Sequence, residues 1–146
     1  MRRLALRLAL PLAALALPAC ALVQDATGER YSTTLSGGKE VPGPGDRRGS
    51  GIADITFYPD RSHACFTLEV SDIAPATAAH IHRGRSGEAG PPVLTLAAPT
   101  DGKSSDCMSV PRALVAEIRA DPARFYVNVH NEEYPAGAVR GQLERQ

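Results

Sequence analysis

The stretch AAHIHRG at residues 78–84 places two histidines on one side of an extended segment. In a β-strand, residues i and i+2 point to the same face, so His80 and His82 project together while Ile81 projects to the opposite face. A loop rich in glycine and proline follows at residues 85–92, which ends the strand. The stretch therefore predicts a strand with one polar face and one apolar face.

A second stretch, YVNVHN at residues 126–131, has the same alternation. Asn128 and His130 share one face, and two valines share the other. If this strand lies beside the first, three imidazoles and an amide converge on one side of the sheet.

The rest of the chain from residue 30 shows short β-like segments separated by turns, with one helical segment at residues 111–120. A hairpin is predicted from residues 51–58 and 64–71, whose apolar residues alternate on either side of the turn at residues 59–62. Further strands are expected at residues 31–35, 93–96 and 138–143, whereas residues 97–106 are polar and turn-rich. The pattern predicts a mainly β protein, an antiparallel sandwich or barrel with one short helix.

The first nineteen residues have the features of a secretory signal. Three arginines precede an apolar run that is too short to span a membrane comfortably. The segment LPAC, ending at Cys20, is typical of a bacterial lipoprotein signal, in which the cysteine is lipidated. ACA at residues 19–21 could instead be an ordinary cleavage site that leaves a soluble secreted chain. We expect an exported protein, periplasmic or at the cell surface, with residues 20–29 as a tether and residues 30–146 as the domain.

Charge excludes one class of partner. The chain has 16 basic and 16 acidic residues, and its arginines are scattered without forming a basic stripe. Nucleic-acid binding is therefore not expected. Contact with a membrane is expected only through a lipid anchor at Cys20.

Two cysteines remain for the exported domain, Cys65 and Cys107. Disulfides persist in oxidising compartments, so we expect these two residues to be bridged. Closing a loop of about forty residues would stabilise the fold by about 3–4 kcal/mol in the chain-entropy view.

These motifs together resemble the CHRD domain, first described in the animal protein chordin. The resemblance rests on AHIHRG at 79–84, YVNVHN at 126–131, PAGAVRGQL at 135–143 and EVP at 40–42, and it covers about residues 31–143. It implies a β-rich, immunoglobulin-like domain. Similar bacterial domains occur in exported proteins without an established activity, so the growth-factor antagonism of chordin is not transferred to this chain.

The sequence departs from the family in its closing motif. Members of the family usually have glutamate at the position that Ala138 occupies here. Any polar network that uses that carboxylate, for example with Arg140, must be built differently in this chain.

Three interpretations of the histidines stay open. Neutral imidazoles suit copper and zinc, so His80, His82 and His130 could hold a metal ion, with His63 as a fourth nitrogen. Alternatively, the histidines could form a hydrogen-bonded polar cluster with Asn128 and Arg140 that holds the adjoining loops. A catalytic histidine is the third interpretation, but no serine or cysteine lies in a recognisable nucleophile motif.

Two functions follow from these interpretations. The first is a non-enzymatic binding or structural module of the cell envelope, whose partner is an envelope or extracellular protein. The second is a copper- or zinc-binding protein with a redox role. The glycines at positions 84, 87 and 90 follow a strand without opening a helix, so they predict turns with positive φ and not a phosphate loop.

Overall fold

The structure is a computed structural model that describes residues 28–146. The signal segment at residues 1–19, Cys20 and most of the expected tether lie outside the described residues, and those expectations stay predictions. Among the described residues, no helix is long and apolar enough to cross a membrane.

The described residues form nine strands and an α-helix, with three short 3₁₀ turns between them. The strands are β1 (Glu29–Ser36), β2 (Ser50–Tyr58), β3 (His63–Ser71), β4 (Ala76–Arg83), β5 (Pro92–Leu96), β6 (Lys103–Ser109), β7 (Phe125–Asn131), β8 (Val139–Gln142) and β9 (Glu144–Arg145). The helix α1 spans Arg112–Ala120, and the 3₁₀ turns span Gly37–Lys39, Pro59–Arg61 and Pro122–Arg124.

All strands belong to one antiparallel sheet with the order β5-β4-β7-β8-β1-β2-β3-β6, and β9 pairs with β1. The sheet curves around a single apolar core into a nearly closed barrel. The prediction of a mainly β, antiparallel fold with a short helix is confirmed, and the strands form the barrel-like alternative instead of two facing sheets.

The core follows the alternation read from the sequence. Ala53, Ile55 and Phe57 of β2 are at most 2% exposed, and the inward residues of the neighbouring strands β1 and β3 are at most 8% exposed. The hairpin of β2 and β3 has the predicted pairing, and Leu114 and Ile118 of α1 join the same cluster. Burying each of these large side chains contributes about 1.5–3 kcal/mol, which makes the two-residue period the main determinant of the fold.

One expectation about the C-terminal half was wrong. Residues 97–106 were expected to be turn-rich, but their last four residues begin the edge strand β6 (Lys103–Ser109), whose side chains are mostly exposed. The strand was not predicted because its residues are polar. It pairs with β3 on one side only. Arg140 lies on the outer face of β8, but loops cover it and leave it 1% exposed.

The disulfide prediction is confirmed. Cys65 of β3 lies directly opposite Cys107 of β6, and their sulfurs are bonded at 2.05 Å. The bridge therefore joins the edge strand to the sheet.

Candidate metal centre

The pairing of β4 with β7 brings the two histidine motifs together. In this register His80 lies opposite Asn128, and His130 lies opposite Ala78, two residues before His80. His80, His82 and His130, here called the histidine triad, each offer one nitrogen, and these nitrogens lie within 4.8 Å of one another. The convergence expected from the sequence is therefore present on the outer face of the barrel.

Backbone carbonyls orient two of the imidazoles. The Nδ1 of His82 is 2.8 Å from the carbonyl oxygen of Gly90, and the Nδ1 of His130 is 3.1 Å from that of Pro135. Because a carbonyl only accepts hydrogen bonds, both Nδ1 atoms carry the proton. In the neutral rings, each Nε2 then keeps its lone pair, which is the usual arrangement for a histidine that ligates a metal.

The lone pairs of these two histidines have different surroundings. The Nε2 of His130 is 3.2 Å from the Nδ1 of His80, which acts as the donor of that hydrogen bond. The Nε2 of His82 is buried and has no hydrogen-bond partner among the described residues. Leaving a buried acceptor without a hydrogen-bond partner costs about 1–3 kcal/mol of stability, so a ligand that binds this nitrogen would remove that cost.

Burial favours the neutral form of the three imidazoles in the histidine triad. Burial lowers the pKa of all three histidines below the ordinary value of 6.5, because the charged form loses hydration. For His130 the two neighbouring imidazoles lower the pKa further, and the hydrogen bond to the Pro135 carbonyl opposes the shift. Neutral imidazole is the form that binds metal ions, so the site is ready to ligate at pH 7.

A stack of three side chains holds His82 from one side. The ring of Tyr126 lies parallel to that of His82, with centroids 4.9 Å apart and an interplanar angle of 13°. The guanidinium of Arg140 is 3.4 Å from the centroid of the Tyr126 ring. Tyr126 lies two residues before Asn128, so the strand period places it on the same polar face.

The positions of His82 and Tyr126 depend on Gly90, in the loop after β4. Its carbonyl accepts from His82, and its backbone N–H donates to the Tyr126 hydroxyl at 3.1 Å. A Cβ at this position would lie 1.6 Å from the carbonyl oxygen of Arg83. Of the three glycines predicted to need positive φ, only Gly87 has it, and Gly90 is required by close backbone contact instead.

His63 does not join the triad. It is the first residue of β3, beside the Cys65–Cys107 disulfide, and not part of the preceding turn. His63 therefore does not supply a fourth nitrogen to this site.

The residues around the site come from the motifs that carry the family resemblance. The family model described as the CHRD domain matches residues 31–143, which include both histidine strands and the closing motif. The chain belongs to the CHRD family. Neither a search of curated proteins nor a search of solved structures found a significant match.

This CHRD domain has a carboxylate next to the position where the resemblance implies a glutamate. Ala138 is fully buried, and Glu40 lies so close by that a Cβ on Gly137 would be 2.4 Å from its Oε2. The same Oε2 accepts a hydrogen bond from the Nδ2 of Asn128 at 3.1 Å. Glu40 belongs to the opening motif at residues 40–42, and its contact with Asn128 was not predictable because 88 residues separate the two in the chain.

Proposed function

We propose that this CHRD domain is a non-enzymatic binding module exported to the cell envelope, and that its histidine triad binds one copper or zinc ion. The observation that carries the metal assignment is the buried Nε2 of His82, which has no hydrogen-bond partner among the described residues and lies within reach of two further neutral imidazoles. Imidazole nitrogen is a common ligand of both metals.

The carbonyl hydrogen bonds of His82 and His130 support this function. They fix the tautomer and the ring orientation before an ion arrives, which reduces the ordering cost of binding. An ion at the Nε2 of His130 would replace the hydrogen bond from His80. With three protein ligands, a zinc or copper ion keeps at least one coordination position for water or another ligand.

A polar cluster that only holds the loops remains the alternative. The hydrogen bonds from Asn128 to Glu40 and from Arg140 to the carbonyl of Arg85 favour such a role for these two residues. The histidine triad is different, because that role leaves the Nε2 of His82 unsatisfied. We therefore assign metal binding to the histidines, and at this site we assign Asn128 and Arg140 only the support of the loops.

The export part of the proposal rests on the N-terminal sequence. The basic start, the apolar run and Cys20 support secretion with lipid attachment, or secretion as a soluble chain if cleavage follows the alternative site. In either case the partner of the module would be found outside the cytoplasm.

The deciding experiment is elemental analysis of the exported chain, purified without a histidine tag. We expect about one copper or zinc per chain, lost in His82→Ala and His80→Ala and retained in His63→Ala, the matched control. Circular dichroism shows whether each variant is folded. A folded wild-type protein that carries no metal and takes up neither ion on titration would refute the metal assignment and favour the polar cluster.

A further inference from the structure

A second polar site lies on the same outer face as the histidine triad, two strands further along the sheet. It is a cavity of about 280 Å³ lined by Thr33, Lys39, Ser86, Arg140, Gln142 and Glu144. These residues come from β1, β8, β9, the 3₁₀ turn after β1 and the loop after β4. The cavity is therefore built from segments that only the folded barrel brings together.

Arg140 provides the buried positive charge of the cavity. Its guanidinium is almost fully buried, and Nη2 donates to the carbonyl of Arg85 at 2.8 Å and to the Oε1 of Gln142 at 3.3 Å. Its Nη1 is buried without a hydrogen-bond partner, and none of the ion pairs between described residues includes Arg140. A buried cation without a paired anion is costly, because the charge has lost its hydration.

Other charges around the cavity favour an anion. The Nζ of Lys39 is held on the rim by hydrogen bonds to the carbonyl and the hydroxyl of Thr34, at 2.7 and 3.2 Å. The only acidic lining residue is Glu144, which is exposed. The negative groups that act on Arg140 from within the fold, Glu40 and Glu88, lie beyond ion-pair distance.

We propose that this cavity binds a small oxyanion, either an organic carboxylate or an inorganic anion such as phosphate. The guanidinium of Arg140, which lines the cavity, attracts the anion, and Lys39 adds a second positive charge from the rim. Arginine suits this task because its planar guanidinium is charged at every physiological pH and matches the geometry of oxyanions. The cavity is smaller than the roughly 300–1,000 Å³ typical of sites for drug-sized ligands, so it selects small anions.

The test is titration of the whole exported chain with acetate, citrate and inorganic phosphate at low ionic strength, followed by calorimetry. We expect saturable binding of one anion per chain for at least one probe. Lys39→Gln, which changes an exposed side chain, should weaken binding about two- to fivefold, in keeping with the modest strength of exposed charge contacts. Arg140→Gln should weaken it at least tenfold, since the buried positive charge of the cavity is lost.

Lys103→Gln is the matched control, because Lys103 is an exposed lysine paired with Glu69 on the distant edge strand. Equal weakening in Lys39→Gln and Lys103→Gln would show only general attraction of anions and would overturn the proposal. Absence of saturable binding at millimolar concentrations of all three probes would also overturn it. Loss of fold in Arg140→Gln, seen by circular dichroism, leaves Lys39→Gln as the deciding variant. The titrations use the metal-free chain, because citrate and phosphate also bind copper and zinc, and the result is then independent of the histidine triad, whose metal content is measured separately.

Discussion

Glu40 should make the stability of this domain fall as the pH rises from acidic to neutral values. The residue is 5% exposed, its Oε2 accepts from Asn128 and its Oε1 has no hydrogen-bond partner among the described residues. Burial raises the pKa of this carboxyl from the ordinary 4.5 to about 7, although Arg140 and the Asn128 hydrogen bond oppose the shift. The folded protein therefore holds a proton that the unfolded chain has already released.

The direction and size of the change in unfolding free energy follow from the difference between the pKa of Glu40 in the folded and unfolded states. Between pH 4.5 and about 7 the folded state binds more protons than the unfolded state, so the free energy of unfolding decreases as pH rises through this window. One pKa unit corresponds to about 1.36 kcal/mol, which makes the full cost of ionised Glu40 about 3 kcal/mol above pH 7. Glu40→Gln keeps an oxygen acceptor for Asn128 and cannot ionise, so it removes this cost.

Equilibrium unfolding in urea, with a chelator present, tests the reasoning at several values between pH 4.5 and 8. Relative to wild type, Glu40→Gln should gain about 3 kcal/mol of unfolding free energy on going from pH 4.5 to 8. The histidines titrate in both proteins and cancel in the comparison. Glu133→Gln, an exposed control, should track wild type throughout. A stability difference between Glu40→Gln and wild type that does not change with pH would refute the argument.

Two further predictions concern the loop after β4 and the edge strand. Gly90→Ala should destabilise the fold by about 1–3 kcal/mol, because its Cβ would overlap the Arg83 carbonyl, whereas Gly38→Ala, with open space around its Cβ, should be nearly neutral in thermal unfolding. Equal melting temperatures for the two variants would contradict the role given to Gly90. Replacing both Cys65 and Cys107 by alanine should cost about 4 kcal/mol, since the bridge closes a loop with a sequence separation of 42. A wild-type protein whose urea midpoint is the same with and without a reductant would contradict this estimate of the bridge.

Much of the fold was predictable because strand alternation is a local property of the backbone. The two-residue period identified the inward faces of β2 and β3 and placed His80 and His82 on one side of β4. The helical segment at residues 111–120 was also predictable, since helix periodicity is likewise local, and the structure has the helix at Arg112–Ala120. Strand β6 was not predicted, because an exposed edge strand needs no apolar face. Its position is set by pairing with β3.

The sequence by itself determined which side chains share a face, since that depends on residue spacing within one strand. Only the tertiary structure decided that β4 lies against β7, so that His130 joins two histidines about fifty residues earlier in the chain. It also decided that loops cover Arg140 and that Glu40 reaches Asn128. Strand partners and loop cover depend on the packing of the whole barrel, and such non-local choices leave no periodic pattern in the sequence.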